Sequence, residues 1–152
     1  VEFREVIRKA VQIEESSYQL YSRVAKVAED RSIKEFAQEL AQWELSHREK
    51  LLSILEGKAS VEELGKRVPQ SLGIAELFDE EAQSVLGKDV KLEELLRFGI
   101  AREERTAKLY GALKSLADDE ALSELLERLE KEEKLHREKL EKVYDEVVLE
   151  GP

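Results

Sequence analysis

The only two histidines of the chain, His47 and His136, each stand three residues after a glutamate, as Glu44-x-x-His47 and Glu133-x-x-His136. They lie 89 positions apart, and at that offset residues 14–51 align without a gap on residues 103–140, with 14 of 38 positions identical. The repeat also pairs Glu14 with Glu103, Tyr21 with Tyr110 and Asp30 with Asp119. Four carboxylates and two neutral imidazoles balance two divalent cations. Such oxygen and nitrogen donors suit Fe, Mn or Zn, and no thiolate is present to favour Cu(I). At i, i+3 spacing each Glu and its His share a helix face. Each pair can offer a bridging carboxylate and a nitrogen, while Glu14 and Glu103 can each cap a metal. One Glu-x-x-His is a weak signal in a glutamate-rich chain, where such pairs are usually solvated. Two of them, in core register inside a gap-free repeat that adds two lone glutamates, make a strong one.

The elements that carry these residues must be helices. Apolar residues recur in alternating three- and four-residue steps along four segments, a spacing that keeps them on one face of a bundled helix. The first seam runs from Phe3 and Ile7 through Glu14 and Tyr21 to Ala28, and the second from Ile33 through Glu44 and His47 to Ile54. The third runs from Leu92 through Glu103 and Tyr110 to Ala117, and the fourth from Leu122 through Glu133 and His136 to Val147. Asp30 and Asp119 are placed to cap the second and fourth helices, which makes two tight antiparallel hairpins. Glu14 lies 16 residues before Asp30 and Glu44 lies 14 after it, as Glu103 and Glu133 do around Asp119. At about 1.5 Å per residue those heights differ by roughly 3 Å, so all six groups reach one level of the bundle. Residues 56–90 collect most of the glycines, and Ile74, Leu77, Phe78 and Leu86 predict a short amphipathic helix at about 74–86. A connection of that length can cross the full height of the bundle. The expected fold is an all-α antiparallel four-helix bundle, one domain over 1–152, built of two hairpins joined by a long crossover containing a short helix.

Composition agrees. The chain has 152 residues, 39% of them charged and 41% hydrophobic, with 7 Gly and 2 Pro. The net charge of −10 argues against nucleic acid and anionic membranes as partners. No segment approaches the roughly 20 apolar residues that span a bilayer, and no signal peptide pattern opens the chain, so a cytoplasmic location is expected. A Glu/Lys-rich chain without Cys or Met has the composition of a hyperthermophile protein. No nucleophile motif or phosphate-cradling glycine loop is present. Trp43, Glu132, Glu15 and Glu104 adjoin the site residues in sequence. Trp43 reads as a packing residue, with electron transfer the alternative, and the three glutamates read as solvent-facing.

The residues quoted above are similar to those of the rubrerythrin branch of the ferritin-like superfamily. Its diiron site takes one Glu from each of two helices and a Glu-x-x-His from each of the other two. The resemblance covers essentially the whole chain and implies Glu14 and Glu103 as terminal ligands, Glu44 and Glu133 as bridging ones, and His47 and His136 as nitrogen ligands. It implies that Tyr21 and Tyr110, each seven residues after a capping glutamate, hydrogen-bond ligand carboxylates. It further implies two irons, reduction of peroxide or O₂, an external electron donor such as a rubredoxin, and a homodimer. Ferroxidase or storage activity, or a non-catalytic metal-binding module, is the alternative. The chain departs from the family in two ways. Without Cys it holds no rubredoxin-like iron, and Thr106, matched by Ser17, stands where an extra carboxylate is usual. Both are small enough to leave room for an oxygen ligand, though helix packing explains them as well.

Overall fold

A computed structural model describes residues 1–77 and 91–150. Four long helices carry the molecule: α1 (Phe3–Val27), α2 (Arg31–Ser53), α4 (Leu92–Leu116) and α5 (Glu120–Glu150), with a one-turn helix α3 (Val61–Leu64) in the crossover. Each long helix buries the middle of its predicted seam, while Leu92, Ala117, Val143 and Val147 at the ends of the third and fourth seams are half-buried. Asp30 accepts from the backbone amides of Ser32 (2.8 Å) and Ile33 (3.3 Å), and Asp119 from Leu122 (2.9 Å), so both turns are closed by the expected caps. α1 packs along α2 and α4 along α5; the hairpins meet mainly through α1 and α4, whereas α2 and α5 approach each other sparsely. Glu14 lies against Tyr110 and Tyr21 against Glu103, which makes α1 and α4 antiparallel, as the crossover requires. This is the ferritin-like all-α architecture.

The apolar core falls into two bodies. One gathers Phe3, Ile7, Leu51, Ile54, Leu109, Leu113 and Leu126 at the crossover end. The other gathers Leu20, Val24, Ile33, Leu40, Leu95 and Leu140 at the opposite end. Between them lies a polar layer made by the glutamates and histidines of the four seams.

The crossover holds more structure than expected. α2 runs into a π-helical turn at Ile54–Lys58, where Gly57 takes φ 141°, a conformation that side chains resist. Ser60 then caps α3 by accepting from the Glu63 amide at 3.1 Å. Glu63 is 5% exposed, and its Oε1 accepts from the amides of Asp118 (2.8 Å) and Asp119 (3.4 Å) in the α4–α5 turn. Lys66 joins the same turn through Asp118 Oδ2 (2.8 Å) and the Leu116 carbonyl (2.7 Å). The crossover is thus pinned to the far hairpin by charge-assisted bonds. Of the helix predicted at 74–86, Ile74–Leu77 forms a 3₁₀ turn, and residues 78–90 lie outside the described part. Among the described residues no helix is long and apolar enough to cross a membrane.

Candidate metal centre

All six residues read from the repeat meet in the polar layer, each 4% exposed or less. Ligand atoms of Glu14, Glu44, His47 and Glu133 lie within 4.8 Å of one another, and so do those of Glu44, Glu103, Glu133 and His136. Glu44 and Glu133 belong to both groups. Two four-residue donor sets that share two carboxylates are the geometry of a bridged pair of cations.

Each element aims its side chain for a local reason. Tyr110 on α4 donates to Glu14 Oε1 on α1 at 2.7 Å, and Tyr21 on α1 donates to Glu103 Oε1 on α4 at 2.6 Å. Each phenol takes one oxygen and leaves the other, Oε2, without a hydrogen-bond partner inside the layer. Gly99 makes room for this, because a Cβ there would stand 3.0 Å from Tyr21 Cε1. Thr106 Oγ1 lies 3.0 Å from Glu133 Oε2, so its hydroxyl touches one of the two carboxylates common to both groups. His47 Nδ1 faces Glu133 at 2.7 Å, Glu14 at 3.4 Å and Glu44 at 3.8 Å.

Buried polar atoms without partners are costly and therefore rare. Here Glu14 Oε2, both oxygens of Glu44, Glu103 Oε2 and His136 Nδ1 are buried without a hydrogen-bond partner, and all of them belong to the two donor groups. Oxygen and nitrogen donors left open at one level fit a pair of divalent ions of the Fe, Mn or Zn type.

Proton affinities tell the same story. Burial raises the Glu44 carboxyl well above the ordinary carboxylate value, and the neighbouring charges of Glu103 and Glu14 push it the same way. Burial likewise raises Glu103 to about 8, against the opposing hydrogen bond from Tyr21 and the close approach of Glu44. Burial would also raise Glu14, but its close approach to Glu44 and His47 outweighs this and lowers it. His47 rises to about 9: burial disfavours its charge, but Glu132 and Glu14 overcome that. His136 falls to about 4, first through burial and then through the charge on His47. Without metal the cluster keeps protons among its carboxylates, and divalent ions displace such protons when they bind.

Sequence reasoning missed two neighbours. Glu132 is not solvent-facing: it is half-buried, and its Oε2 lies 2.5 Å from His47 Nε2. It flanks the seam on the side facing α2, a flanking register that reaches across to a neighbouring helix. Arg102 is 6% exposed and donates to the Ile13 carbonyl (3.3 Å) and Ser17 Oγ (3.4 Å), with its charge beside Glu14 and Glu44. Preceding Glu103 on a charged helix, it carries no sequence signal of burial. The two charges are opposite, so the balance of four carboxylates against two divalent ions survives. Glu15 pairs with Arg48 at 2.8 Å with its side chain 47% exposed, and Glu104 is exposed, as expected for both. Trp43 is 38% exposed and lies tilted against both histidines, with ring centroids 6.3 Å from His47 and 5.7 Å from His136.

A protein from Thermotoga maritima, described from its 2.30 Å crystal structure as a ferritin-like diiron-carboxylate protein, shares this fold. Its TM-score is 0.78 at 20% sequence identity, with 96% of each chain covered. Among curated proteins none matches the chain significantly. The rubrerythrin family model matches residues 5–144, nearly the whole length, and on that match the chain belongs to the rubrerythrin family.

Proposed function

We propose that this chain is a carboxylate-bridged two-metal oxidoreductase that reduces hydrogen peroxide or O₂ with electrons from a separate donor. The observation that carries the reading is the pair of buried donor groups sharing Glu44 and Glu133, with their partnerless atoms. Glu14, Glu44, Glu133 and His47 would hold one ion, and Glu44, Glu103, Glu133 and His136 the other. Bound there, two redox-active ions, iron foremost and manganese next, supply electrons and polarise an O–O bond. Zinc fits the same donors but brings no redox chemistry.

The chain's own residues do the rest. Tyr21 and Tyr110 hold the capping carboxylates so that one oxygen of each stays turned inward. The two apolar bodies seal the layer above and below, which keeps water from competing with a small oxidant. We take the α2–α5 side, where the two helices make few close approaches and Trp43 is partly exposed beside both histidines, as the approach for peroxide or O₂. Reduction of one peroxide to two waters consumes two electrons and two protons. The 152 residues hold no cysteine and so no rubredoxin-like iron, and the electrons would come from a donor outside them. A homodimer belongs to the same reading.

The test is metal counting followed by stopped-flow absorbance. Anaerobic protein loaded with Fe²⁺ is mixed separately with peroxide and with O₂. Two irons per chain, oxidised much faster by peroxide, support a peroxide reductase. Faster oxidation by O₂, with iron accumulating beyond two per chain in a large assembly, turns the assignment to ferroxidase and storage. Two bound ions that neither oxidant touches leave a structural metal module.

A further inference from the structure

The repeat breaks its symmetry at the residue preceding each Glu-x-x-His. At the 89-residue offset, Glu132 falls on Trp43. Both side chains reach across the α2–α5 seam to the opposite histidine, but with different chemistry. Glu132 on α5 presents Oε2 to His47 Nε2 at 2.5 Å. Trp43 on α2 presents its ring to His136, with centroids 5.7 Å apart and planes at 59°.

From this we infer that the two metal positions are unequal, and that Glu132 makes the position at His47 the tighter one. The inference rests on the two-metal reading above. A carboxylate on the far nitrogen of a ligating imidazole keeps the proton there, fixes the ring and raises the basicity of the nitrogen that faces the metal. For His47 that nitrogen is Nδ1, the atom directed at Glu133 and Glu14. His136 has no such support. Its Nδ1 lies 3.7 Å from Glu44 Oε1 without a hydrogen bond, and none to its Nε2 is found among the described residues. An indole ring packs beside it but can neither fix the tautomer nor strengthen the donor. The other donors do not offset the difference, since each position draws on Glu44, Glu133 and one tyrosine-held capping glutamate. Glu132 is therefore a positioning residue for one of two sites whose direct donors are matched in kind.

The test is anaerobic Co²⁺ titration of the whole chain, followed by calorimetry and by the visible absorbance of each bound ion. Wild-type protein is expected to fill in two steps, with affinities at least about tenfold apart. Glu132→Ala should weaken the first step by about 10–100-fold and leave the second within a few-fold. Trp43→Glu supplies the missing carboxylate and should tighten the second step, drawing the two together, a gain that a merely structural role for either residue would not produce. Two equal steps in the wild type, or equal weakening of both by Glu132→Ala, would overturn the inference while leaving the two-metal reading intact. Failure of the wild type to bind two ions would overturn both.

Discussion

Replacing Glu44 by Gln distinguishes a carboxylate kept for metal from one kept for the fold. Glu44 is 1% exposed, and neither of its oxygens has a hydrogen-bond partner. Burial and the charges of Glu103 and Glu14 hold its pKa well above the usual range, which favours the protonated form in the metal-free protein. The amide of Gln mimics that neutral form and can donate to the flanking carboxylates. Metal-free Glu44→Gln should therefore melt at the same temperature as the wild type or higher. With metal the order reverses. Two ions, each at about 100 times its dissociation constant, stabilise the wild type by about 2.7 kcal/mol apiece. At about 2–4 °C per kcal/mol for a chain of this size, the melting midpoint rises by about 10–20 °C. Glu44 serves both positions, so Glu44→Gln should lose more than half of that rise. The assay is thermal unfolding by circular dichroism, with and without Mn²⁺. A carboxylate that only held the fold would show the opposite pattern: a loss of about 1–3 kcal/mol without metal and an unchanged metal response. That result would refute the reasoning.

Three further outcomes are expected. Metal binding at pH 7 should release protons, because Glu103 (about 8) and His47 (about 9) both lie on the protonated side before the ions arrive, and the upward shift of Glu44 acts in the same direction. Affinity should thus climb with pH up to the His47 value, and calorimetry in buffers of different ionisation enthalpy counts the protons; zero release would be wrong for this cluster. Tyr21→Phe or Tyr110→Phe frees the outer oxygen of Glu103 or Glu14 and should weaken the corresponding metal step by about tenfold or more, read from a Co²⁺ titration. Glu63→Ala removes the acceptor for the Asp118 and Asp119 amides and should cost about 1–3 kcal/mol in urea unfolding with metal affinities unchanged.

The bundle and the meeting of six side chains at one level are legible in the sequence because both rest on regular physics. A 3.6-residue period places each seam, Asp30 and Asp119 close the turns, and nearly equal distances from those turns bring Glu14, Glu44, Glu103 and Glu133 to a common height. What escaped depends on cross-helix packing. Glu132 occupies a register that could face water or α2, and only the α2–α5 geometry settles it in favour of His47. Arg102 is buried because small Ser17 and the Ile13 carbonyl face it, an accommodation invisible along α4 alone. α3 had a signal that went unread: Ser60 followed three residues later by Glu63 is a helix-start pattern. Glu63 does not reach back to its own helix start, however, but out to the α4–α5 turn, a contact no local pattern encodes.

The most direct test of the central claim is anomalous diffraction from crystals grown with Mn²⁺. The account predicts two peaks per chain in the polar layer, about 3.5–4 Å apart, with Glu44 and Glu133 touching both, His47 on one and His136 on the other. A single peak, or peaks that leave Glu44 or Glu133 bound to only one ion, would contradict it.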